Sequence, residues 1–175
     1  MKQFILNAPL GDDVYREDPS INSLEQQIAE IFKKEAALFV PSGTMANLIS
    51  VLAHCERGEE VLLGNKSHIF FYEAGGISAF GGVHSHQLQN ESDGTIKIKS
   101  IESCIRDTKN VHFPQTKLMC LENTHNLCHG TPLNSKYIKE VKTILNKFDI
   151  KLHIDGARIF NASVALNIPV NELCA

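Results

Sequence analysis

Apolar residues recur at helical spacing at Ile21, Leu24, Ile28, Ile31 and Phe32, and Pro19-Ser20 supplies a start signal, which predicts a helix over about 20–33. The short apolar run at 36–40 reads as a buried strand, and Pro-Ser-Gly-Thr at 41–44 reads as a turn. A helix follows over 45–55, Gly58 stops it, and a second strand covers 60–63. Residues 68–80 read as a helix weakened by Gly75-Gly76, and 81–88 as a short strand before a polar turn at 91–96. Helical spacing returns over 98–107. The most apolar strand is 117–122, and a clearly amphipathic helix carries Tyr137, Ile138, Val141, Ile144, Leu145 and Phe148. A last strand spans 151–155. Strands alternating with helices predict an α/β fold with a mostly parallel sheet covered on both faces, in a single domain.

In such sheets ligands bind at the carboxyl ends of the strands, and polar residues gather there in this reading. Strand 36–40 runs into Ser42-Gly43-Thr44, and strand 60–63 leads to His68. Strand 117–122 is followed by Asn123-Thr124-His125-Asn126, and strand 151–155 ends on Asp155 with Arg158 close behind.

Each stretch has a plain reading and a functional one. The turn Ser42-Gly43-Thr44 is either an ordinary helix cap or a cradle of N–H groups for a phosphate or carboxylate. His68 is either a loop histidine or a group that caps, binds metal or stacks on an aromatic ligand. Glu73, five residues on, is either a surface glutamate or a member of the same cleft. The loop holding His125 is either turn chemistry or a polar substrate pocket, and its His and Cys spacing is not a standard zinc pattern, so no metal site is expected. Asp155 either pairs with Arg158 or awaits a cation, because a buried carboxylate is costly when unpaired. A protonated heterocyclic nitrogen, as in pyridoxal phosphate, is such a cation, and Arg158 could then grip a carboxylate.

The 175-residue chain is 43% apolar and 21% charged, with a formal net charge of -3. No basic patch dominates and no apolar run would span a bilayer, so neither nucleic acid nor membrane is an expected partner. The N-terminal apolar stretch is too short, and too broken by Asn7 and Pro9, for a signal peptide. Five cysteines without a C-x-x-C pair fit a reducing, cytoplasmic setting.

Taken together, GDDVYREDPSINSLE (11–25), EAALFVPSGTMANLISVLAHCERGEEVLLG (35–64), SHIFFYEAGG (67–76), LENTHN (121–126) and LHIDGARIFNA (152–162) resemble the threonine aldolases. These belong to the pyridoxal-phosphate enzymes of the aspartate-aminotransferase fold, beside the β-eliminating lyases. The resemblance implies a three-layer α/β/α large domain, a pyridoxal 5'-phosphate cofactor, and cleavage of threonine or allo-threonine to glycine and acetaldehyde. It also implies a homotetramer of dimers. It assigns Ser42, Gly43 and Thr44 to the cofactor phosphate, His68 to stacking on the cofactor ring and catalysis, and Asp155 to the pyridine nitrogen. Arg158 is assigned to the substrate carboxylate and a cofactor oxygen, His125 to the substrate hydroxyl, and Glu73 to the reacting centre. Asp12 and Tyr15 fall in a loop near the active site, with Tyr15 a substrate contact. The family's Schiff-base lysine follows the Asp-Gly-Ala-Arg strand, whereas the last lysine here is Lys151. The chain is therefore expected to represent part of the large domain, without the small C-terminal domain. The alternative to an aldolase is an inactive fragment or pseudoenzyme that binds cofactor or another subunit.

Overall fold

The computed structural model describes residues 1–174. They form two units, one of Met1–Pro41 with Cys174 and one of Ser42–Leu173.

The first unit holds α1 (Lys2–Asn7), a 3-10 turn at Asp13–Tyr15 and α2 (Pro19–Phe32). Asp18 starts α2: its Oδ1 accepts from the N–H groups of Ser20 and Ile21, and Oδ2 accepts from Gly11 N–H. Pro19 at the first turn loses no helical bond. These N–H donors hold the Asp18 carboxyl below its ordinary value, the Ile21 donor foremost. No residue of α2 is buried, and Leu24 and Ile31 stay exposed on its apolar stripe.

The strand expected over 36–40 is absent. A strand exists only where a neighbour takes its ladder groups, and none of the described strands pairs with this segment. The Phe39 N–H instead donates to Glu25 Oε1 at 2.7 Å, and Leu38 is exposed.

The second unit is a parallel sheet in the order β2-β1-β3-β4, made of β1 (Glu60–Gly64), β2 (His84–Leu88), β3 (Thr116–Glu122) and β4 (Lys151–Asp155). Period-two alternation sorts apolar side chains onto both faces. Val61, Leu63, Leu118 and Cys120 meet Val51 and Cys55 of α3 (Gly43–His54), Ile69 of α4 (His68–Phe71) and Ile77 of α5 (Gly76–Ala79). Leu62, Met119 and Leu121 meet Ile101 of α6 (Ile98–Cys104) and Ile138, Val141 and Leu145 of α7 (Ser135–Asn146). The result is the three-layer α/β/α arrangement that the pattern implies. α8 (Ile159–Leu166) and α9 (Val170–Leu173) follow the last strand.

The helix expected over 68–80 is two short helices with a turn between. Ala74 (φ 52°) and Gly75 (φ 66°) both adopt the left-handed conformation, which a helix cannot propagate through. The break turns Glu73 inward, where it is buried.

Leu118 and Cys120 are fully enclosed, and burial drives the Cys120 thiol far above its ordinary value, so it acts as a small hydrophobe. We expect Leu118→Ala to cost about 2–5 kcal/mol in urea unfolding, because the rigid sheet around it cannot collapse into the cavity.

No helix among the described residues is long and apolar enough to cross a membrane.

Candidate functional site

Because the strands are parallel, β1, β3 and β4 end on one side of the sheet, and Glu122 sits beside Asp155 in register. Three loops start there. Gly64 closes β1 where any Cβ would collide with the Asn90 side chain. That close approach lets Asn90 Oδ1 accept from Lys66 N–H at 3.0 Å and shapes the loop to His68.

His68 opens α4. Its backbone N–H donates to Glu122 Oε2 at 2.8 Å, and Glu122 Oε1 accepts from Asn126 N–H at 2.8 Å. One buried carboxylate thus ties the loops after β1 and β3 together. The His68 ring reaches Glu73 through Nδ1 to Oε1 at 2.8 Å and lies 5.4 Å from the Tyr72 ring.

Asp155 ends β4. Its Oδ2 accepts from Asn47 Nδ2 at 3.0 Å, and Oδ1 accepts from Ala157 N–H at 3.2 Å. The same Asn47 nitrogen donates to Glu73 Oε1 at 2.8 Å. Among the described residues no Lys or Arg forms an ion pair with either acid. Arg158 is exposed and donates through Nη2 to Asn126 Oδ1 at 3.1 Å, so the plain Asp155–Arg158 pair is not formed.

One ligand-type atom from each of His68, Glu73 and Asp155 lies within 4.8 Å of the others. This corner could hold a metal ion or another cation. Glu73 Oε1 already accepts from His68 and Asn47, which fills its two lone-pair sites, whereas each Asp155 oxygen accepts one donor and keeps room for another. The free capacity on Asp155 can take up a further N–H donor carrying positive charge.

Ser42 caps α3, its Oγ accepting from Met45 N–H at 3.1 Å, so the ordinary cap reading holds for that hydroxyl. Ser42, Gly43 and Thr44 are all exposed, and nothing lies within 4 Å of a Cβ built on Gly43. The open first turn and Asn47 stand on one helix, roughly 6 Å apart along its axis.

His125 is 1% exposed, and neither ring nitrogen has a hydrogen-bond partner among the described residues. Burial lowers its pKa, against an opposing pull from Glu122. Burial likewise lowers that of His153, which lies two residues before Asp155 on β4. Unfolding returns both rings to water, where the ordinary value is 6.5. Below that pH the unfolded chain binds more protons, so this contribution to stability is full above about pH 6.5 and is lost as pH falls toward the folded-state values. We expect the urea midpoint to drop between pH 7.5 and pH 5.5, and His125→Gln to flatten that slope.

The fold thus brings together His68, Glu73 and Asp155 directly, with Arg158 linked through Asn126. Tyr15 and Asp12 belong to the first unit, where Asp12 Oδ1 accepts from Val14 N–H to cap the 3-10 turn and Tyr15 is exposed. Sequence reasoning gave no part to Asn47 or His153 and did not separate Glu122 from its loop. The signal for Asn47 was its place four residues before Val51 on the buried stripe of α3. The signal for His153 was the alternation that sets it on the same face as Asp155.

Comparisons with known proteins show what the chain is similar to as a whole. The relative named "Probable low-specificity L-threonine aldolase 2" from Arabidopsis thaliana is 55% identical over 175 residues, covering 99% of this chain and 49% of the relative. The low specificity L-threonine aldolase of Escherichia coli K12 is 42% identical over 173 residues, covering 99% and 51%. The chain therefore spans about half the length of the curated relatives it matches. In three dimensions it resembles the threonine aldolase of Leishmania major with a TM-score of 0.73 at 24% identity, covering 85% of this chain and 43% of that one, which is a likeness of fold. The β-eliminating lyase family model matches all of residues 1–175. With that match over its whole length, this chain belongs to the β-eliminating lyase family.

Proposed function

We propose that the protein is a pyridoxal 5'-phosphate-dependent lyase that cleaves L-threonine or L-allo-threonine to glycine and acetaldehyde. The observation that carries this reading is the Asp155 carboxylate: held at a strand end, bonded by Asn47, without a Lys or Arg partner among the described residues, and with capacity for a further donor. A protonated pyridine nitrogen has the charge and the N–H that this site lacks. The aldolase names of the Arabidopsis and E. coli relatives support the choice of substrate class.

The cofactor supplies an electron sink for breaking the Cα–Cβ bond. Asp155 keeps the ring nitrogen protonated by favouring its charged form. The first turn of α3 offers N–H groups and the Thr44 hydroxyl to the phosphate, with the helix dipole adding partial positive charge. Glu73 can only accept, so His68 Nδ1 carries the proton in their hydrogen bond and Nε2 is left as the basic nitrogen. Glu73 thereby orients His68 so that Nε2 is free to accept the proton of the substrate hydroxyl. His125, neutral and with both nitrogens unpartnered, is a second group for that hydroxyl. Arg158 receives the substrate carboxylate, for which it releases Asn126. Tyr15 as a substrate contact, a homotetramer of dimers and a cytoplasmic location complete the proposal, on the strength of the family resemblance.

Titrating cofactor into the full-length apoprotein and following the visible absorbance tests the site. We expect saturable binding of about one equivalent per chain, and at least tenfold weaker binding by Asp155→Asn, which removes roughly one unit of charge complementarity. Equal affinity of the two proteins would remove Asp155 from the site.

A further inference from the structure

Asn47 is 4% exposed on a helix face that is otherwise apolar, so its amide must be satisfied inside the protein. Its Nδ2 lies 2.8 Å from Glu73 Oε1 and 3.0 Å from Asp155 Oδ2. Ionised carboxylates only accept, so each N–H of the amide points at one acid. This leaves Oδ1 facing the other way, 2.9 Å from His153 Nε2. An amide oxygen also only accepts, so Nε2 must carry the hydrogen. The donor chemistry fixes the amide orientation and the histidine tautomer together.

We propose that His153 and Asn47 are positioning residues, in which His153 Nε2–H turns the Asn47 amide so that its NH2 group holds Glu73 and Asp155 as one paired acid corner. The inference deepens the proposed function and rests on it for the cofactor, but the hydrogen-bond order stands on the side chains alone. Three features support it. Alternation on β4 sets His153 and Asp155 on the face toward α3, at a spacing of two residues that one amide can bridge. Burial keeps the His153 ring neutral, as a single fixed tautomer requires. Glu73 and Asp155 carry acceptor atoms within 4.8 Å of each other, where two carboxylates repel unless a shared donor lies between them. With the amide flipped, Oδ1 would meet two acceptors and the corner would open.

The test uses the full-length protein. Nitrogen-15 spectra of labelled histidine should show His153 neutral with the proton on Nε2. Asn47→Leu should release it to a mixture of tautomers. A wild-type His153 protonated on Nδ1 alone, or a tautomer indifferent to Asn47→Leu, overturns the proposal. Cofactor titration gives a second readout. His153→Leu should weaken binding about tenfold, and His153→Gln, which keeps an amide donor, should retain most of the affinity. In an Asn47→Leu background, His153→Leu should add nothing further, since His153 acts only through Asn47. Additive losses overturn the coupling. If the wild-type protein binds no cofactor, the proposed function fails, while the tautomer spectrum, which needs neither cofactor nor variant, still decides the hydrogen-bond order.

Discussion

Asp155→Ala is expected to lower kcat/KM of the full-length protein toward threonine about a thousandfold, or about 4 kcal/mol of transition-state stabilisation. The reason is electrostatic. The Asp155 carboxylate, with no Lys or Arg partner among the described residues, is the charge that would favour a protonated ring nitrogen. Asp155→Asn keeps the size and one acceptor oxygen but not the charge, so its loss should approach that of the alanine variant. Thermal melts should move little for Asn, because the side chain is only partly buried and its remaining oxygen still accepts from Asn47 or Ala157, at the loss of one hydrogen bond. Steady-state kinetics and melts together separate a lost charge from a lost fold. An Asp155→Asn protein with more than a tenth of the wild-type kcat/KM would refute the role.

The second large effect lies at the opposite end of the sheet. Glu60 opens β1 and is fully buried, yet it carries a carboxylate. Thr116 Oγ1 donates to its Oε1 at 2.9 Å, and Arg106 Nε stands 3.3 Å from both oxygens. His86 Nδ1 and His84 Nε2 approach Oε2 at 3.3 and 3.6 Å. Arg106 also lies over the Phe113 ring, 5.2 Å from its centroid. Arg106→Met leaves the buried acid without its permanent cation, and we expect a loss of about 3 kcal/mol in urea unfolding. The double variant Glu60→Leu with Arg106→Met should recover much of that loss, because the desolvation cost goes with the charges. A cost below about 1 kcal/mol for Arg106→Met would mean that Thr116 and the two histidines carry the carboxylate by themselves.

The sheet was readable because its central strands, β1 and β3, are buried on both faces. Runs such as Leu118-Met119-Cys120-Leu121 leave no polar position for a helix to expose, and α7 shows its period plainly. The segment 36–40 has the same composition but pairs with none of the described strands, and local pattern says nothing about partners. The break after Tyr72 was half visible. Gly75-Gly76 weakened the helix, but the left-handed Ala74 that turns Glu73 inward has no sequence signature. At the site, Asp155 stood out as an acid at the end of a buried strand. Asn47 and His153 did not, because each occupies a position where the pattern expects a core residue and only tertiary contact supplies its partners. Arg158 drew attention by its place just behind Asp155, yet its hydrogen bond to Asn126 depends on the folded loop after β3.

The most direct measurement of the central claim is product analysis. Full-length protein would be incubated with L-threonine and with L-allo-threonine, with and without added pyridoxal 5'-phosphate, and glycine and acetaldehyde quantified. The account predicts equimolar glycine and acetaldehyde that depend on the cofactor and disappear in Asp155→Ala. Cofactor-dependent loss of substrate without glycine, or glycine formation unchanged in Asp155→Ala, would contradict it.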